Sequence, residues 1–149
     1  MVKTRIPSEL APDLLTRVEA RFGDFPLTRN WGLRIRELTP GTARLTMVPN
    51  EHTTNGASGV LNGGVLATLS DLTCAFALCT CFDGRMPFAT SDLHIRYLEP
   101  ADSEITVEAT VVRASLRSAV LDCRMLCGGR IVAASTAHFI IKLRAKETT

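Results

Sequence analysis

The chain has no marked excess of charge of either sign: 17 Lys and Arg stand against 15 Asp and Glu, a formal charge of +2 over 149 residues. Nucleic acid requires a concentrated basic face. Here the basic residues are scattered, with a modest excess only at Lys142, Arg144 and Lys146, so no nucleic-acid partner is expected. A long uninterrupted apolar run is also missing. The apolar pattern over 65–82 is broken by Thr68, Ser70, Asp71, Thr73 and Thr80, which argues against a membrane span. The opening MVKTRIPSELAPDLL has no apolar core of the secretory kind, so the five cysteines read as reduced thiols and the expected location is cytoplasmic. Cys74, Cys79 and Cys81 lack CxxC spacing and a nearby histidine, and neither a metal nor another cofactor is expected. Repeats, low-complexity linkers and a second core are absent too. The expectation is one domain, 1–149, with 1–30 as an N-terminal helical extension. A chain of this length buries roughly two-thirds of its unfolded surface.

What is present reads as helix and strand in simple succession. Ser8 is the expected N-cap for a helix over Glu9–Arg21, with Leu10, Leu14, Leu15 and Val18 on one side, and Gly23 and Pro26 end it. Alternating runs at Leu33–Leu38 and Thr42–Val48, split by the turn signal TPGT, predict two strands. Four more strands are predicted at Pro87–Leu98, Glu104–Ala114, Ala119–Cys127 and Arg130–Leu143. Gly128-Gly129 marks a tight hairpin between the last two. Around His94, Leu93, Ile95 and Tyr97 alternate with Asp92, His94 and Arg96, which makes one face apolar and the other polar. The last strand is apolar on both faces and is predicted to be central.

Between the two sets of strands lies VLNGGVLATLSDLTCAFAL, an apolar helical pattern opened by Gly63-Gly64 and interrupted by Asp71. A strongly twisted sheet of about six antiparallel strands can curl around one such helix, an α+β architecture. At about 100° per residue, Val65, Leu66, Leu69, Leu72, Thr73, Phe76 and Cys79 share a broad sector, with Ala67, Ser70, Asp71, Cys74 and Leu78 opposite. That small-residue side is expected to be completed by another surface. Asp71 reads either as a solvated helix residue or as a functional carboxylate. The second reading draws on Gly63 and Gly64, which allow a ligand close to the backbone at a helix start whose free N–H groups favour an oxygen gaining negative charge.

At Gly59, Asn62-Gly63-Gly64 and Asp71, followed by SDLHIRYLEPA at 91–101, the sequence resembles the hotdog-fold thioesterases, specifically the PaaI-like acyl-CoA thioesterases. The resemblance spans Trp31 to Leu143. It implies a hotdog fold, in which a highly curved antiparallel sheet wraps one long central helix, and hydrolysis of acyl-CoA thioesters, aryl or aliphatic. Asp71 would be the catalytic carboxylate, as nucleophile or general base, and the Gly64 N–H would polarise the thioester carbonyl. The site would lie between the subunits of a homodimer or homotetramer. The sequence departs from the family pattern at Asn62, where histidine is usual; asparagine can orient a thioester by hydrogen bonding but carries no proton. Asn55 lies four residues before Gly59 rather than three, a difference a one-residue loop insertion reconciles. Gly63, Asn55 and Thr90 complete the expected substrate contacts. His52 is a candidate ligand contact, His94 and His138 read as sheet-face residues, and Arg113, Arg117, Arg130 and Lys142 are candidate partners for CoA phosphates. Two other readings are a non-catalytic acyl-CoA-binding or sensing protein, and a hotdog dehydratase or isomerase, which would require a catalytic histidine near the helix.

Overall fold

The computed structural model describes residues 6–142. The expected end of the last strand at Leu143 and the basic residues Arg144 and Lys146 lie outside the described residues.

The N-terminal helix α1 spans Leu14–Phe22, five residues later than the Glu9 start expected from a Ser8 cap. The reason is Pro12, which biases Ala11 away from helical backbone and has no N–H to give. A second short helix, α2 (Pro26–Trp31), was not expected: Pro26 at its first position starts it rather than breaking the chain, and Gly32, in the left-handed region at φ 66°, ends it. The strands are β1 (Arg34–Thr39), β2 (Thr42–Met47), β3 (Phe88–Tyr97), β4 (Ile105–Ala114), β5 (Ser118–Cys127) and β6 (Arg130–Ile141). They lie within a residue or two of the predicted segments. The turn from β5 to β6 has Gly128 and Gly129 both at positive φ, 58° and 76°, as a two-residue hairpin of the primed type requires.

All pairings are antiparallel, in the order β1-β2-β4-β5-β6-β3. β6 is therefore interior, as its two apolar faces predicted, while β1 and β3 are the edges. The sheet curls around α3 (Gly63–Cys79) to give the hotdog fold. Leu45, Val107, Leu121, Met125 and Phe139 reach inward to bury Leu69, Ala77, Leu78 and Cys79 of the helix. Each large apolar side chain so buried contributes about 1.5–3 kcal/mol. The segment Gly63–Phe82 is long and apolar enough to cross a membrane, but this apolarity belongs to a helix mostly enclosed by its own sheet.

The rotation of α3 differs from the expected one. Ser70, Cys74 and Leu78, predicted to await another surface, are fully buried against the sheet; the Ser70 hydroxyl meets that of Ser135 on β6. Small side chains let helix and strands approach closely there. Solvent instead reaches a strip of Gly64, Ala67, Thr68, Asp71, Leu72 and Ala75. This strip lies along the seam left open between the two edge strands, and α1 packs beside it through an edge-to-face contact of Phe22 with Phe76, ring centroids 4.8 Å apart.

Candidate active site

The start of α3 is held by a tight loop. Thr54 and Leu61 form an isolated bridge, the Asn55 N–H donates to the Val60 carbonyl at 2.8 Å, and the chain between them turns through Gly56 and Gly59 at φ 59° and 69°. Asn62 follows in extended backbone as the N-cap, where a short side chain with an acceptor oxygen is favoured. Its Oδ1 accepts from the Gly64 N–H at 2.8 Å, and its Nδ2 donates to Asn55 Oδ1, also at 2.8 Å. The loop thus brings Asn55 to Asn62 despite the extra residue before Gly59. Glycine at position 64 suits this cap, because a Cβ there would stand 3.1 Å from Asn62 Oδ1. Gly63 is crowded differently: Tyr97 on β3 donates its hydroxyl to the Gly63 carbonyl at 2.8 Å, and its ring would lie 3.4 Å from a Cβ. The Gly64 N–H is therefore engaged by Asn62, while the Gly63 N–H makes no hydrogen bond among the described residues.

Asp71 lies seven residues beyond Gly64 on the same solvent-facing strip, half-buried, and accepts from the Thr90 hydroxyl at 2.6 Å. Thr90 reaches it because of an irregularity in β3. Regular alternation places Thr90 in phase with Asp92 and His94, on the outward face. The register instead shifts between Thr90 and Asp92, so that Thr90, opposite Phe139, and Leu93, opposite Ala137, both face the helix. The extra residue is Ser91, turned the other way: its Oγ lies 2.5 Å from His138 Nδ1 and 3.1 Å from the His138 carbonyl oxygen. Sequence reading placed His138 on a sheet face and missed Ser91 and Tyr97. A Ser-Asp pair within an alternating strand carries no signal that distinguishes a bulge from continuation.

The neighbouring thiols are not nucleophiles in this setting. All five cysteines are free. Cys74, one turn beyond Asp71, is pushed well above the ordinary thiol range by its contact with the Cys123 thiol and by burial. Burial, with Cys81 nearby, pushes Cys79 up to about 12. Among the described residues no cluster of three or more His, Cys, Asp or Glu is arranged to hold a metal ion.

The other candidates lie apart from this constellation. His52 is exposed, 3.6 Å from the Glu51 carboxylate, with its backbone N–H bound to Asn50 Oδ1. His94 faces outward beside Arg96, Asp122 and Arg124. Arg130 pairs with Glu99, and Arg113, Arg117 and Lys142 are exposed.

Comparison with known proteins places this geometry. The family profile described as the thioesterase superfamily matches residues 58–134, just over half of the chain, from the loop before α3 into β6. A Halobacterium salinarum protein named as an esterase is 29% identical over 107 residues, 69% of this chain and 71% of its own. Among solved structures, a conserved protein of Pseudomonas aeruginosa is 26% identical with a TM-score of 0.73, covering 88% of this chain and 98% of that one. A mutant of the phenylacetic acid degradation protein PaaI from Thermus thermophilus is 25% identical with a TM-score of 0.70, covering 80% of this chain and 100% of that one.

Proposed function

The chain belongs to the thioesterase superfamily, and from that premise we propose that it hydrolyses acyl-CoA thioesters to free acid and CoA. The observation that carries this reading is the carboxylate of Asp71, oriented by Thr90 on the open strip of a helix whose start offers backbone N–H groups. Thr90 occupies Oδ1, and Oδ2 makes no hydrogen bond among the described residues. As general base, Asp71 takes a proton from water while the water oxygen attacks the thioester carbonyl carbon; the C–S bond then breaks and the proton passes to the departing sulfur. As nucleophile, it attacks the same carbon, expels the CoA thiolate, and water hydrolyses the resulting anhydride. In either course the carbonyl oxygen gains charge and needs donors. The Gly63 N–H is unengaged, and the Gly64 N–H becomes available as Asn62 Oδ1 shares or yields it. Asn62, with Asn55 behind it, would orient the thioester without carrying a proton.

Seven residues of helix separate Gly64 from Asp71 by roughly 10 Å. One carbonyl group cannot lie within hydrogen-bonding reach of both, so the reading requires two copies, one supplying the helix start and the other Asp71. The ten-residue edge strand β3, with its outer edge unpaired among the described residues, favours such pairing. A homodimer, or a homotetramer built from it, is the proposed active form, and the cytoplasm the proposed location.

The test is a thiol-release assay over a panel of acyl-CoA thioesters with the native protein and Asp71→Asn. Turnover by the native protein and a loss of at least about a hundredfold in the variant, with the fold retained, supports the assignment. Near-native turnover in Asp71→Asn removes Asp71 from the chemistry. No turnover by the native protein on any thioester favours the binding reading. Oxygen-18 recovered in Asp71 after a single turnover in labelled water identifies the nucleophilic course, since only an anhydride opened at the Asp71 carbonyl carbon leaves a water oxygen there.

A further inference from the structure

A cavity of about 560 Å³ opens beside α3 on the side away from Thr90. Its walls come from both N-terminal helices, from β1 and β2, and from Leu72 and Phe76 of α3. The lining is mainly apolar: Phe22, Leu33, Ile35, Leu45, Leu72 and Phe76 form the interior. Arg34, Arg36 and Glu19 supply its few charges.

The position of this cavity follows from the curl of the sheet. The open strip of α3 runs along the seam between the edge strands β1 and β3. Asp71 leans to the β3 side, where Thr90 holds it, and the next residue, Leu72, leans to the β1 side and forms part of the cavity wall. Carboxylate and cavity therefore flank one another across a single helix. The volume is within the range of small-molecule sites, which are mostly apolar with a few polar groups. It greatly exceeds what an acetyl group would fill. Its walls are aliphatic and aromatic, and no polar side chain among them is buried: Glu19, Arg34 and Arg36 are exposed and Thr28 is half-buried, which leaves a substituted ring no enclosed polar partner.

We propose that this cavity is the acyl chamber of the site, and that it takes an unbranched aliphatic acyl chain of medium length. The inference rests on the hydrolase reading above for the thioester, and adds the class of acyl group. The chain enters along the seam with its carbonyl carbon at Asp71 and its methylenes against Leu72, Ile35 and Phe76. α1 and α2 then have a role in selectivity as the outer wall of the chamber.

Two measurements test this. The first compares kcat/KM for acetyl-, hexanoyl-, decanoyl- and phenylacetyl-CoA in the native protein and in Thr28→Trp and Ile35→Trp, changes at two half-buried wall positions on α2 and β1. Burial of each methylene favours the longer substrate by up to about fourfold, so decanoyl-CoA should exceed hexanoyl-CoA by at least about tenfold. The decanoyl-to-acetyl ratio should fall at least about tenfold in the variants. The second measurement is binding of sodium decanoate to the native protein by NMR, which should give contacts from its methylenes to the methyl groups of Leu72 and Ile35. A flat or inverted chain-length series, or a preference for phenylacetyl-CoA over decanoyl-CoA, overturns the proposal while leaving thioester hydrolysis standing. No turnover on any thioester defeats the hydrolase reading; decanoate contacts at Leu72 and Ile35 would still establish the chamber, and their absence would overturn it. If Thr28→Trp leaves the ratio unchanged but converts an oligomer to a monomer in light scattering, a second copy of the chain covers this face and the proposal fails.

Discussion

Asn62 joins structure and proposed chemistry through one amide: its oxygen caps α3 at the Gly64 N–H and its nitrogen holds Asn55. Asn62→Ala removes both bonds and should lower stability by about 0.5–2 kcal/mol in urea unfolding. Asn62→Asp retains an acceptor for the Gly64 N–H and adds negative charge at a helix start, so its stability should remain near native. Activity separates the second role from the first. If Asn62 orients the thioester, Asn62→Ala loses about 1–3 kcal/mol of transition-state stabilisation in kcat/KM, and Asn62→His retains activity. Full activity in Asn62→Ala would confine the residue to capping.

The decisive element is β3, because one bulge aims its side chains in two directions. Thr90→Val keeps the shape of the side chain and deletes the hydroxyl donated to Asp71. A hydrogen bond to a charged group is worth about 1.5–3 kcal/mol, so turnover should fall by roughly ten- to a hundredfold. Deleting Ser91 should be milder. After the bulge Leu93, Ile95 and Tyr97 lie opposite Ala137, Ser135 and Ala133, and before it Thr90 lies opposite Phe139, so a chain without Ser91 restores regular alternation with Thr90 still facing the helix. That change keeps Thr90 beside Asp71 and Phe88 in its edge-to-face contact with Phe139, and removes only the Ser91 contacts with His138. The deletion should therefore retain most of the turnover, and adding Thr90→Val to it should cost the same roughly ten- to a hundredfold as in the native chain.

At the scale of the molecule, the thiols enclosed between helix and sheet make stability depend on alkaline pH. Burial raises Cys79 to about 12, against roughly 8.5 for an unperturbed thiol. The unfolded chain then releases its proton first, and bound protons in the native state exceed those in the unfolded state between the two values. Stability is complete below about pH 8.5 and falls above it, by up to about 1.4 kcal/mol per pH unit for this group. Urea unfolding from pH 7 to 10.5 should show that fall, and Cys79→Ala should reduce its slope. Assembly belongs to the same scale. The roughly 10 Å between Gly64 and Asp71 predicts at least a dimer in light scattering at micromolar concentration, and a monomer with full turnover would contradict a shared site.

Local periodicity and turn chemistry determined a great deal. The apolar pattern after Gly63-Gly64 specified α3, Gly128-Gly129 specified the β5–β6 hairpin, and the alternating runs specified six strands, because each depends on residues a few positions apart. The spacing of Asn62, Gly63, Gly64 and Asp71 was equally legible, since a helix fixes it. The rotation of α3 was not: Ser70 and Cys74 look like an open face until the sheet curls far enough to bury them, and Leu72 looks like core until the seam leaves it half-exposed. Nor could the sequence turn Thr90 inward, because the bulge at Ser91 exists only through the register of β3 against β6. The meeting of Asn55 with Asn62 depends likewise on a loop closed by the bridge between Thr54 and Leu61. Short-range order follows from the residues themselves; which side chains meet across the seam is decided by how the sheet closes.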